Sequence, residues 1–148
     1  MRPADESTED ESDIIIIGCG TAGLTAALRA SELGRSVIVL EKAPKKNRGG
    51  HTQFAESFRI PTADINIDTE FNVNDYSTSD FYSDIMKMSD LRADPDLAKQ
   101  VANGAVEMFE WLTARVMDWE YQAPHPGYTA GRVWLDGEEL VDELVDRI

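Results

Sequence analysis

The chain has 148 residues, with 14 Lys and Arg against 28 Asp and Glu for a formal net charge of −14, and a pI of about 4.4. That balance repels nucleic acid and anionic membrane surfaces, and the length suffices for one domain with a real core. No apolar run is long enough for a membrane helix, no basic region precedes an apolar stretch as in a secretion signal, one Cys excludes an internal disulfide and fits a reducing cytoplasm, and two His with one Cys leave little for a soft-metal site.

Residues 1–12, MRPADESTEDES, are acidic and nearly without apolar side chains, so they are expected to form a disordered tail. The next stretch organises everything after it. Ile14 to Ile17 read as a buried parallel strand covered on both faces. Gly18, Gly20 and Gly23 then fill the G-x-G-x-x-G spacing. The first glycine permits a tight turn, the second lets backbone approach a pyrophosphate, and the third lets helix pack on strand. The helix start offers N–H groups and a positive dipole end to a diphosphate.

The helix runs from Thr21 to Leu33, with Ala22, Ala26, Ala27 and Ala30 allowing close approach to the sheet, and Gly34 ends it. Ser36 to Leu40 form a second strand, closed by Glu41, 18 residues after Gly23. An acid there can accept hydrogen bonds from a ribose hydroxyl. The fold class is therefore α/β, built on a Rossmann-like βαβ unit. Glycine spacing and Glu41 alone fit an FAD site, an NAD site or an ordinary βαβ unit with a surface acid.

Residues 42–57, KAPKKNRGGHTQFAES, hold Lys42, Lys45, Lys46 and Arg48, four of the 14 basic residues. Such a basic loop, loosened by Gly49-Gly50, is placed to approach more of a bound dinucleotide; alone it also reads as a solvent-exposed loop. Residues 58–68 suggest a strand pair or extended segment interrupted by Pro61. Thr78 or Ser79 can cap a helix over about 80–90, with Phe81, Ile85 and Met88 on one face.

Asp94-Pro95 starts a longer helix, expected to reach about Met117, with Val101, Ala105, Met108, Leu112 and Val116 as its apolar stripe. Trp111 and Trp119 read as packing residues. Residues 121–131 form a Pro/Gly loop in which His125 is loop structure. A last helix begins at Gly137, with Leu140, Val141, Leu144, Val145 and Ile148 on an apolar face and a solvated acidic face opposite. The acidity of the whole chain fits either a solvated surface or adaptation to high salt.

Together these pieces resemble the FAD-dependent fumarate reductase/succinate dehydrogenase flavoprotein family, in particular its soluble branch with tricarballylate dehydrogenase-like proteins. The likeness is carried by DIIIIGCGTAGLTAALRASELG, VIVLEKAP and RGGHTQFAESFR, and more loosely by Trp111-Leu112 at a helix end and by LDGEELVDELV. It implies that residues 13–148 are the N-terminal part of an FAD-binding domain, with helical segments after the βαβ unit. It further implies that Gly18, Gly20, Thr21, Ala22 and Gly23 meet the FAD pyrophosphate and that Glu41 holds the adenosine ribose, with Lys42 and Ala43 on the adenine side. Gly49, Gly50, His51 and Thr52 match the family's Gly-Gly-Asn-Thr/Ser loop along the flavin. His51 departs from the usual Asn; membrane-bound relatives carry a flavin-attaching His near this point, whereas soluble relatives hold FAD non-covalently.

The GGHT loop and the Glu41-Lys42-Ala43 strand end favour FAD over NAD. The chemistry implied is hydride transfer between flavin N5 and a dicarboxylate-like carbon–carbon bond, with no catalytic residue assigned here. A domain of this kind needs further strands and a second surface against the flavin. The chain is accordingly expected to be an incomplete domain, inactive alone and completed by a C-terminal part or a partner chain, in the cytoplasm. A non-catalytic truncated or split subunit is the alternative.

Overall fold

The computed structural model describes residues 11–63, 65, 76–115, 120–122 and 130–148. The expected acidic tail before residue 11, as well as Val116, Trp119 and His125, lie outside them. Two compact units emerge: residues up to Gln53 together with Val141–Ile148, and Phe54–Leu140.

In the first unit, strands β1 (Ile14–Ile17) and β2 (Val37–Leu40) pair in parallel, with Ile14 opposite Val37 and Ile17 opposite Leu40. Helix α1 (Thr21–Glu32) connects them. The strand starts are clipped together: Asp13 N–H donates to Ser36 Oγ at 2.9 Å and Ser36 N–H to Asp13 Oδ2 at 3.0 Å. At the other end Gly18 N–H donates to the Leu40 carbonyl at 2.7 Å. The C-terminus of α1 closes as its sequence predicts. Gly34 takes a left-handed φ of +73°, its N–H reaches the Ser31 carbonyl and Arg35 N–H reaches that of Ala30, a pair of bonds that satisfies two orphan carbonyls.

Leu24, Ala27 and Leu28 form the buried face of α1, and burying a leucine of this kind contributes roughly 1.5–3 kcal/mol. One expectation is corrected here. The isoleucine strand is not covered on both faces: Ile15 is 61% and Ile17 87% exposed. Among the described residues this sheet has only the two strands, too few to bury a strand that reads as a central one.

The second unit holds the antiparallel sheet β3-β5-β4, where β3 is Ser57–Phe58, β4 Glu120–Gln122 and β5 Arg132–Trp134. Of the extended segment expected over 58–68, Phe58, in β3, is the only strand residue among the described residues. The last two strands fall in stretches read as loop or left unassigned, because each is only three residues long and β3, the other partner of β5, is distant in sequence. Helices α2 (Thr78–Met88) and α3 (Pro95–Thr113) pack against each other, and Phe109 of α3 meets Phe58 of β3. Ser77, rather than Thr78 or Ser79, caps α2: its side chain accepts from Asp80 N–H while Asp80 accepts from Ser77 N–H, a reciprocal capping box.

Asp94 caps α3 as expected, accepting from the Asp96 and Leu97 amides, and the helix ends at Thr113 rather than near Met117. Its buried stripe is Ala98, Ala102, Ala105, Phe109 and Leu112. Val101 is 56% exposed, so the stripe is rotated by one residue from the expected one toward the small alanines. Trp111 lies in the last turn, with the Arg115 guanidinium 4.5 Å from its ring centroid in a cation–π arrangement. Ile60, Phe109 and Val133 form the core, flanked by Phe58 and Ile65. Beside it Asp84 Oδ2 accepts from Arg59 Nη1 and Tyr76 Oη, both at 2.9 Å; burial and the neighbouring carboxylate push the Tyr76 phenol up to about 12.

Helix α4 (Gly137–Asp146) follows. Asp136 accepts from the amides of Glu138 and Glu139 at its start. Its residues Val141 and Leu144 are buried in keeping with the sequence reading, while Ile148 is 38% exposed.

Candidate dinucleotide site

The glycine turn between β1 and α1 owes its form to contacts that exclude a side chain. A Cβ on Gly23 would run into the Gly18 carbonyl and come within 3.3 Å of the Ile16 side chain, so the third glycine lets the helix close against the turn. Gly20, the N-cap of α1, has φ −73° and no side-chain cap. A Cβ there would make only ordinary contacts, 3.4 Å from the Gly49 carbonyl oxygen and 3.6 Å from Thr52 Oγ1.

Glu41 reaches back from the end of β2 to this turn. Its Oε2 accepts from Cys19 N–H at 2.9 Å and its Oε1 from Ala43 N–H at 2.8 Å. The Ala43 and Cys19 amides, in that order of weight, pull its carboxyl down to about 2, because a carboxylate fed by backbone donors favours its charged form. Cys19, buried between the two glycines, moves the opposite way. Burial raises its thiol first, Glu41 adds to that, and the Gly49 amide and the Arg48 charge oppose it.

The basic loop is clamped from two sides. Thr21 N–H donates to Thr52 Oγ1 at 2.9 Å and the two hydroxyls lie 2.8 Å apart, which ties the loop to the start of α1. On its other side Gly49 has φ +102°, and a Cβ there would lie 2.6 Å from Val141 Cγ2. Arg48 Nη2 donates to Asp142 Oδ1 at 2.7 Å, with the Arg48 side chain 17% exposed. Its Nε is buried and has no hydrogen-bond partner among the described residues. Cys19, Glu41 and Arg48 share the wall of a 250 Å³ cavity with Leu24, Val37, Val39, Val145 and Ile148.

The residues expected at the site therefore fall into two groups. Gly18, Gly20, Thr21, Gly23, Glu41, Ala43, Gly49 and Thr52 are joined by hydrogen bonds or close approach. Ala22, Gly50 and His51 take part in none of these bonds, Gly50 and His51 are exposed, and Lys42, also exposed, offers its backbone amide to Glu41. Missed by sequence reasoning were the burial of Arg48 and the part taken by Val141 and Asp142. The basic run was visible, but nothing local shows which of its members turns inward or which distant helix it meets.

These residues suit a dinucleotide. The turn brings backbone within reach of a ligand, the Ala22 and Gly23 amides have no acceptor among the described residues, and Glu41 supplies a charged acceptor beside them. A buried guanidinium nitrogen in need of an acceptor stands alongside. Comparison with known proteins agrees. The family model described as FAD binding domain matches residues 13–136. The chain is 32% identical over 103 residues to the NADH:fumarate oxidoreductase of Klebsiella pneumoniae, covering 70% of this chain and 11% of that protein. It is 29% identical over 111 residues to the vinyl phenol reductase of Lactiplantibacillus plantarum, covering 75% of this chain and 22% of that protein. Among solved structures, the open conformation of a flavocytochrome c3 fumarate reductase superposes with a TM-score of 0.72 at 23% identity, over 91% of this chain and 24% of that one. The chain thus spans about a quarter or less of the length of these proteins. It belongs to the FAD binding domain family, and its cofactor is FAD.

Proposed function

We propose that residues 13–148 are the N-terminal part of the FAD-binding domain of an oxidoreductase acting on a dicarboxylate-like carbon–carbon bond, in the soluble, tricarballylate dehydrogenase-like branch of its family and in the cytoplasm. The observation that carries the reading is the linkage of Glu41 to the glycine turn through Cys19 N–H, which sets a ribose acceptor and a diphosphate cradle side by side. In this reading the amides at the start of α1 hold the FAD diphosphate and Glu41 the adenosine ribose, with Lys42 and Ala43 toward the adenine. Gly49, Gly50, His51 and Thr52 line the flavin side, His51 as a non-covalent neighbour.

Bound flavin supplies hydride transfer; the residues of this chain bind and orient it. The surface that holds the substrate against the flavin is supplied by further polypeptide, either the remaining length of a longer flavoprotein or a partner chain, so residues 1–148 alone bind FAD without turnover.

The test is a titration of residues 1–148 with FAD, read by flavin fluorescence and absorbance. Gly20→Ala, which the turn accommodates in ordinary contact, should weaken binding about tenfold, because the added methyl stands where the pyrophosphate approaches. Gly20→Val should weaken it further. Undiminished FAD affinity in a folded Gly20→Ala protein, shown by circular dichroism, would remove the diphosphate from this turn.

A further inference from the structure

We propose that Arg48 is a cofactor-binding residue that contacts the nucleotide half of FAD directly, an inference that rests on the placement of the diphosphate at the glycine turn.

Three observations point to it. The Arg48 side chain is mostly buried in a chain of net charge −14, and a buried cation is retained at a cost unless something anionic meets it. Among the described residues its guanidinium is held at one corner only. Nη2 donates to Asp142, and Asp142 is itself 66% exposed, so this pair is the kind that contributes little on its own. The Nε–H is buried with no acceptor among the described residues, a state that ordinarily calls for a ligand or an ordered water.

Placement then selects the ligand. Arg48 shares its cavity wall with Cys19 and Glu41, residues of the turn and of the strand end where the ribose acceptor lies. It directly precedes Gly49, whose carbonyl is 3.4 Å from the position a Gly20 Cβ would take. Glu41 offers only acceptor oxygens to a ligand, whereas Arg48 offers only donors. The two are complementary to a group carrying hydroxyls and anionic oxygens together, which describes the ribose–diphosphate portion of FAD. A guanidinium presents its donors in a fixed planar fork, and with Asp142 on Nη2 the Nε–H is left to donate to a ligand oxygen.

The experiment compares wild type, Arg48→Gln, Arg48→Lys and Asp142→Asn in residues 1–148, with Kd measured for FAD by fluorescence and for ADP by calorimetry. A direct contact predicts that Arg48→Gln loses about tenfold in affinity for both ligands, as expected for one charge-assisted bond, with Arg48→Lys intermediate. Asp142→Asn should bind ADP as tightly as wild type or more tightly, because it removes a competing carboxylate. If Arg48 serves only to latch the loop to α4, Asp142→Asn loses as much as Arg48→Gln, and the proposal is overturned. Unchanged Kd values in a folded Arg48→Gln protein overturn it as well. Should Arg48→Gln fail to fold, the ADP affinity of Asp142→Asn decides alone. A wild-type chain that binds neither FAD nor ADP would instead sink the placement of the cofactor, a result separable from any effect of Arg48.

Discussion

Glu41 has a structural task that is independent of the ribose contact proposed for it. Its bonds to the Cys19 and Ala43 amides hold the end of β2 against the glycine turn. Those bonds exist for the ionised form, which is why the carboxyl falls from 4.5 to about 2. A folded-state value below the unfolded one means the stabilisation is fully present above about pH 4.5 and is lost as pH falls through 2. Glu41→Gln keeps the shape and one acceptor oxygen but not the charge. The wild type should therefore melt at a higher temperature than Glu41→Gln at neutral pH, with the two melting curves converging as pH drops from 4.5 toward 2. Asp80, lowered by its bonds to Ser77, titrates in both proteins and cancels from the difference. A gap independent of pH would show that the carboxylate charge plays no part in holding the turn.

Among the elements, α4 and the basic loop are coupled through a position that only glycine tolerates well. Gly49→Ala places a methyl 2.6 Å from Val141 Cγ2 at a φ of +102°, and such overpacking costs about 1–3 kcal/mol, to which the left-handed backbone adds. Chemical denaturation should show the loss, and adding Val141→Ala should recover the steric part while leaving the backbone part. A Gly49→Ala protein as stable as wild type would mean that the helix and loop are not in contact. None of this was legible beforehand. The βαβ unit could be read because its signals are local: an isoleucine run, glycines at fixed spacing, a C-terminal glycine and an acid on the second strand. The α3 cap was equally local in Asp94-Pro95. The α3 stripe slipped by one residue because both Val101 and Ala102 fit a helical period, and only the packed neighbours select alanine. Strands β4 and β5 escaped because three-residue segments carry no periodicity, and the pairing of β5 with β3 spans a long stretch of chain. At the site, the turn and Glu41 were evident from type and spacing, whereas the inward turn of Arg48 depends on Asp142, far along the sequence.

At the scale of the whole molecule the dominant fact is charge. A net −14 on 148 residues makes the folded state repel itself more than the expanded unfolded chain does. Screening should relieve this, so the melting temperature of residues 1–148 should climb with added KCl, most of the gain arriving by about 1 M, where the Debye length is about 3 Å. A melting temperature flat or falling over that range would show that the carboxylates are dispersed enough to ignore one another. The same screening would leave the exposed Ile15, Ile17 and Leu40 with less electrostatic protection against self-association, so the melting experiment is best paired with light scattering.

The hydrogen bond from Thr21 N–H to Thr52 Oγ1 has a further consequence. An oxygen acceptor already sits on the first amide of α1, delivered by the protein's own loop and present at the high effective concentration of an intramolecular group. Thr52 is in that sense an internal competitor. A phosphate oxygen that takes the Ala22 or Gly23 amide adds to the structure, while one that takes the Thr21 amide must displace a hydroxyl, and its gain is only the difference between two acceptors. Entry at that amide releases Thr52 and with it one of the ties on the Gly49–Thr52 loop, so the seating of a diphosphate and the freedom of the loop beside it become a single equilibrium.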